Sequence, residues 1–209
     1  MVKIDSRKFT RFINRKTNEG DFYSEIKHKD ITAPITVLLG PNGSGKSMSL
    51  KGIENDLDNN DIKYVVYATS KNDIVERSIS FNPEEILYAW KSEGERMIGS
   101  FHKWAGSTFM RELKSSDAPL WVLIDEADSG LSIDRLMQSF LDLIEVVKQE
   151  LARGRELHVV LTANSYEMVE VLKSDITEYI WVPTKEKITI DSYEDFKAPY
   201  IRFFNLYFE

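Results

Sequence analysis

The sequence predicts an α/β fold: a mostly parallel sheet, with antiparallel strands at the N-terminal side and a helical insert in the middle. Three observations carry this prediction. Ile35–Leu39, Leu120–Ile124 and Leu157–Leu161 are short, predominantly apolar runs, the pattern of strands buried on both faces. Segments with helical spacing lie between them, and strands that alternate with helices pair in parallel. The first two runs stop abruptly at Gly40 and Asp125, which puts a glycine and a carboxylate at strand ends.

In chain order, residues 2–12 and 21–31 read as short strands around the turn-rich Asn14–Gly20. Ile35–Leu39 follows as a buried strand, and Ser47–Leu57 as a helix that Asp58, Asn59, Asn60 and Asp61 break. Lys63–Ala68 is the next strand. Residues 71–118 are polar and mostly helical in pattern, with Pro83 and the acidic Glu84 and Glu85 marking one helix start. After Leu120–Ile124 comes a long amphipathic helix, Ser132–Arg153, then the strand Leu157–Leu161 and a helix at Met168–Leu172. Tyr179–Val182 and Ile188–Ile190 read as strands, and Asp191–Asp195 as a solvated turn. The aromatic tail Tyr200–Phe208 reads either as a final strand covering the sheet edge or as a partner-docking segment. The expected organisation is one domain, 1–209, with 71–118 as a helical subdomain.

A net charge of -7 argues against coating duplex nucleic acid by bulk charge. The basic segment Lys3, Arg7, Lys8, Arg11, Arg15 and Lys16 reads as a solvated face, with nucleic-acid contact left open. No run approaches the roughly 20 apolar residues of a membrane helix. Met1–Thr10 lacks the apolar stretch of a secretory signal, so the expectation is a cytoplasmic protein without membrane insertion. The chain has no cysteine, which excludes disulfides, thiolate zinc sites and a cysteine nucleophile. Trp90, Trp104, Trp121 and Trp181 read as packing residues rather than base-stacking platforms.

Gly40-Pro41-Asn42-Gly43-Ser44-Gly45-Lys46-Ser47 matches the phosphate-binding pattern G-x-x-x-x-G-K-[ST] between a strand and a helix, the context that gives the motif its meaning. Glycines let the backbone turn its N–H groups inward, and a helix N-terminus adds to that cradle for anionic oxygens. The expected nucleotide contacts are Asn42, Gly43, Ser44, Gly45, Lys46, Ser47 and Met48. Lys46 would reach the β- and γ-phosphates, and Ser47 would ligate Mg²⁺. Trp121-Val122-Leu123-Ile124-Asp125-Glu126 drives two carboxylates to the strand end where α/β sheets bind ligands. Asp125 would hold Mg²⁺, and Glu126 would polarise the attacking water. The competing accounts are a glycine-rich turn with a chance lysine and an acidic helix cap without chemistry. The flanking strand and helix favour a P-loop NTPase core that takes ATP and Mg²⁺.

These motifs resemble the ABC-type ATPases, with a RecF/SMC-like head domain lacking coiled-coil arms as the nearest branch. The resemblance rests on the Gly-Pro-Asn-Gly-Ser-Gly-Lys-Ser loop, on Ser92-Glu93-Gly94-Glu95-Arg96, which is similar to the family signature, and on Asp128-Ser129-Gly130-Leu131-Ser132-Ile133-Asp134, similar to its D-loop. Phe9-Thr10-Arg11-Phe12 resembles the opening of the RecF/SMC branch. The resemblance implies an ATP-dependent, head-to-tail homodimer in which Ser92, Gly94 and Glu95 contact nucleotide in trans. Two departures stand out. Asn164 occupies the place of the family's switch histidine, and Gln138 and Gln149, the only glutamines, lie on the late helix rather than in a coupling loop.

Asparagine at that place also resembles the first sensor of AAA+ ATPases, and Ile124–Asp128 suits that family. AAA+ proteins need a C-terminal helical lid with a sensor arginine, whereas Tyr179–Ile190 looks β-rich, which favours the ABC-type arrangement. The expected activity is hydrolysis of ATP to ADP and phosphate, with Lys46, Glu126 and Asn164 as catalytic residues. DNA repair, phage biology and defence are all compatible settings. Asn164 motivates the alternative of a slow ATP-gated clamp for nucleic acid or a protein partner. A transporter nucleotide-binding subunit is a further alternative, against which the missing coupling glutamine counts.

Overall fold

The computed structural model describes residues 26–68, 93–126, 128 and 133–208; at 93–98, 133–136 and 206–208 it describes the backbone alone. Its elements are β1 (Ile35–Leu39), α1 (Lys46–Asn59), β2 (Tyr64–Ala68), α2 (Glu93–Trp104), α3 (Met110–Ser115), β3 (Leu120–Asp125), α4 (Ile133–Ala152), β4 (Leu157–Ala163), α5 (Tyr166–Leu172), β5 (Thr177–Trp181), β6 (Glu186–Ile188) and α6 (Tyr193–Phe208). A π-helical turn, Ala105–Phe109, joins α2 to α3.

The strands form one six-stranded sheet in the order β2-β3-β4-β1-β5-β6. Every pairing is parallel except β5 with β6, which is antiparallel. The mostly parallel α/β sheet predicted from sequence is therefore the fold. β4 lies between β1 and β3, so the glycine-ended and carboxylate-ended strands are second neighbours.

The largely apolar runs follow from burial on both faces. Ile35, Val37 and Leu39 of β1 pack on one side with Val122, Ile124, Val159 and Leu161. Leu38 points to the other side with Leu123, Val160 and Ile180, as strand period two requires. Phe140, Leu143, Ile144 and Val147 of α4, with Phe196 and Phe203 of α6, cover the first face. Leu50, Ile53 and Leu57 of α1 cover the second. Trp104, Trp121 and Trp181 are all buried in these cores. Among the described residues no helix is long and apolar enough to cross a membrane.

Two expectations are corrected. Residues 28–30 form a 3-10 turn rather than the end of a strand. The carboxylate of Asp30 accepts from the Lys27 N–H at 2.9 Å, and that of Asp56 from the His28 N–H at 2.9 Å; side-chain acceptors here outcompete a ladder. The tail is a helix, α6, rather than a strand. Asp191–Asp195 is exposed, as expected of a solvated turn, but it leads directly into that helix, which begins at Tyr193. The Asp195 carboxylate accepts from the Ser192 N–H at 2.9 Å, and the Ser192 hydroxyl accepts from the Asp195 N–H at 3.2 Å, a reciprocal capping box. Phe196, Tyr200 and Phe203 then fall on one helical face, and Trp181 meets the Tyr200 ring edge-on at 4.7 Å. The β-rich segment before it exists as β5 and β6, but it does not end the chain.

Residues 93–115 are helical, as expected for the insert. The first predicted strand, most of the second, the basic N-terminal segment, Phe9–Phe12, the Pro83 helix start, Trp90 and Ser92 lie outside the described residues, as does most of Asp128–Asp134.

Candidate functional site

Three strand ends converge on one edge of the sheet: β1 runs into Gly40, β3 into Asp125 and Glu126, and β4 into Asn164. In the loop after β1, Gly43 and Gly45 hold φ values of 75° and 93°, left-handed conformations that favour glycine. Gly45 is the N-cap of α1, so the loop feeds directly into a helix N-terminus. At Gly40 the limit is space: a Cβ there would lie 2.5 Å from the Ser44 Oγ and 3.2 Å from the Pro183 Cδ.

Lys46 opens α1 and is only 8% exposed. Its Nζ donates to the Gly40 carbonyl at 2.6 Å and to the Pro41 carbonyl at 3.2 Å. Burial lowers the Lys46 pKa, while the negative charges of Asp128, Asp125 and Glu126 act to raise it. The ammonium thus rests on two loop carbonyls, within the electrostatic reach of three carboxylates. Asn42, Gly43 and Ser47 are exposed, and Met48 is an exposed residue of the first helical turn.

The Asp125 Oδ1 gathers several donors. The Ser47 hydroxyl donates to it at 3.0 Å, and the Thr162 hydroxyl at 2.8 Å. The same Thr162 oxygen accepts from the Glu126 N–H at 2.7 Å, so β4 ties the carboxylate strand in place. Glu126 itself is exposed, with φ of 53°, a strained value for a non-glycine residue of the kind found at functional sites. Thr162 was not anticipated from sequence. The sequence marks it only as a polar residue at the end of an apolar run; the register Ile124↔Leu161 is what sets the next pair, Asp125 and Thr162, side by side.

Asn164 sits at the same edge, held by Asp128. The Asp128 carboxylate accepts from the Asn164 N–H at 2.8 Å, the Asn164 amide Nδ2 at 3.3 Å and the Ser165 N–H at 2.7 Å. Ser165 in turn caps α5. Gly94 and Glu95 fall in the first turn of α2, and the structure does not relate them to this edge.

The residues present fit a nucleoside triphosphate with Mg²⁺. The Ser44 Oγ is buried without a hydrogen-bond partner, a donor placed inside the glycine loop. The Ser47 hydroxyl and the Asp125 carboxylate are hard oxygen donors side by side. Among the described residues no cluster of three or more His, Asp or Glu is suited to a metal. Two protein oxygens completed by phosphate and water are how Mg²⁺ is commonly held.

A family model for the AAA domain matches residues 29–172, a span from the turn before β1 to the end of α5 that contains the whole edge described above. No curated protein matches the chain. The matching model is that of an AAA domain and not of the ABC-type ATPases that the motifs resemble. The chain belongs to the AAA-domain family of P-loop NTPases.

Proposed function

We propose that this chain binds ATP with Mg²⁺ in the loop Gly40–Ser47 and hydrolyses it slowly to ADP and phosphate. The carrying observation is the buried Lys46 ammonium inside the glycine loop, with the Ser47 hydroxyl beside it in sequence donating to the Asp125 carboxylate at 3.0 Å. Asn42–Met48 would cradle the phosphates through backbone N–H groups, and Lys46 would leave the Gly40 carbonyl for the β- and γ-phosphates. Ser47 and Asp125 would hold Mg²⁺, which when bound neutralises phosphate charge. Glu126 would orient and deprotonate water, and Asn164, fixed by Asp128, would donate to a phosphate oxygen as a neutral group.

Two variants test this. Lys46→Ala should abolish measurable ATP binding by calorimetry. Glu126→Gln should keep binding and lose phosphate release by about 10²–10⁴-fold, the usual contribution of a general base. Unchanged ATP affinity in Lys46→Ala would overturn the proposal. Steady release by the natural chain at or above about 0.01 per second, the scale of a self-sufficient slow NTPase, would exclude the pure clamp.

A partner subunit completes the site in this proposal. Asp128, Asp125 and Glu126 all act on Lys46, so the positive charges of Lys46 and bound Mg²⁺ do no more than balance these carboxylates, and the charge of the triphosphate itself remains to be met. A donor supplied in trans, as an arginine finger is, would offset that charge. In the ABC-type arrangement the Ser92 hydroxyl and the Gly94 backbone of a second copy would supply neutral donors to the nucleotide, with Glu95 beside them. Gel filtration of Glu126→Gln with Mg-ATP should give a dimer; a larger ring would favour the AAA+ arrangement, and a strict monomer at saturating ATP would remove the need for a partner.

A further inference from the structure

We infer that Tyr200 is a positioning residue for the phosphate loop, and that α6 responds through it to whether the loop is occupied. The inference rests on the nucleotide-binding proposal above. The Gly40 carbonyl accepts from two donors: the Lys46 Nζ at 2.6 Å and, at 3.4 Å, the Tyr200 hydroxyl. The first bond is short and the second long, so the lysine holds the carbonyl and the phenol waits beside it.

Phosphates change that balance. A triphosphate in the loop draws the ammonium away from Gly40, which is buried, and a buried carbonyl without a donor is unfavourable. Tyr200 is in reach and stays a donor: burial and the charge of Asp128 push its phenol up to about 12. The hydroxyl therefore closes on the vacated carbonyl and carries α6 with it. The surroundings favour this movement over movement of the loop. The Val182 N–H donates to the Leu39 carbonyl at 2.9 Å, and Pro183 lies against Gly40, so the base of the loop is braced on two sides. The helix has one internal weak point. Pro199 lies within it and brings no N–H to the Asp195 carbonyl, which weakens its first turns.

Phe196 and Phe203 of α6 also pack on the sheet, but neither carries a hydroxyl. Tyr200→Phe therefore separates packing from hydrogen bonding: the ring against Trp181 remains and only the donor goes. The test combines two measurements on the full chain. Calorimetry with Mg-ATP gives affinity, and hydrogen exchange over residues 193–205 gives the response of α6. The natural chain should show slower exchange in α6 when ATP is bound. Tyr200→Phe should fold normally by circular dichroism, bind ATP about threefold to tenfold more weakly, the loss of one hydrogen bond, and show little added protection. ATP binding by the natural chain with no change in α6, or a Tyr200→Phe variant that responds fully, would overturn the inference while leaving the nucleotide site intact. No ATP binding by the natural chain would sink both, and calorimetry alone reveals that case.

Discussion

Thr162→Val isolates the contact that holds the carboxylate strand. Valine keeps the branched shape and deletes one hydroxyl in a side chain only 1% exposed. Two hydrogen bonds disappear: the 2.8 Å bond to the Asp125 carboxylate and the 2.7 Å bond from the Glu126 N–H. A bond to a charged group contributes about 1.5–3 kcal/mol, and a neutral one about 1 kcal/mol. The second loss is offset in part, because the Glu126 N–H also lies 3.1 Å from the Asp125 Oδ1. The net destabilisation should be about 2–3 kcal/mol. At about 2–4 °C per kcal/mol for a domain of this size, the melting temperature should fall by about 4–12 °C. Phosphate release should fall as well, by about tenfold, because Glu126 loses the anchor of its own peptide. Differential scanning calorimetry and a phosphate-release assay read the two effects. A variant that melts within 1–2 °C of the natural chain, less than about 1 kcal/mol, with unchanged turnover would refute the role given to Thr162.

Three further perturbations probe other parts of the fold. Gly40→Ala places a methyl 3.2 Å from the rigid Pro183 Cδ; the loop must shift, and calorimetry should show ATP affinity about tenfold lower, with an overpacking cost of about 1–2 kcal/mol. Arg155→Met removes a guanidinium that donates to the Leu113 carbonyl at 2.5 Å and the Ala118 carbonyl at 3.2 Å, while Glu150 keeps its pair with Arg153; urea denaturation should show a loss of about 2–3 kcal/mol from the two orphaned carbonyls while ATP affinity stays unchanged, since these residues lie at the opposite edge of the sheet. Burial acts to raise the Glu178 carboxyl, but hydrogen bonds from Lys187, Thr32 and Thr36 outweigh it and hold the group down at about 2. A depressed carboxylate stabilises above its unfolded value and loses that contribution as pH falls toward the folded one, so thermal melts should weaken from about pH 4.5 down toward 2, and Glu178→Gln should flatten that slope.

The legible parts of the sequence were those where burial leaves one solution. β1, β3 and most of β4 are covered on both faces, so their residues are predominantly apolar, and the buried Thr36 is satisfied by the Glu178 carboxylate at 2.9 Å. The glycine loop was legible because its spacing and its flanking elements are set by phosphate geometry. Thr162 and Ala163 extend β4 beyond its last apolar residue; the Thr162 hydroxyl is satisfied by a neighbouring strand, a fact that only the register supplies. The tail misled for a related reason. Aromatic residues and Pro199 suggest extended chain, while the capping pair Ser192 and Asp195 and the spacing of Phe196, Tyr200 and Phe203 point to a helix, and tertiary packing on Trp181 decided between them. Tyr200 could not be found at all from sequence, since its partner Gly40 is distant along the chain.

The backbone at Glu126 carries a last consequence. A left-handed glutamate is held there against its own preference, so asparagine or glycine would rest more easily at that position. Heat resistance and turnover should therefore pull residue 126 in opposite directions. A laboratory selection for survival at high temperature, blind to catalysis, should drift away from the acidic side chain, and the variants it recovers should be sturdier proteins that have stopped turning over.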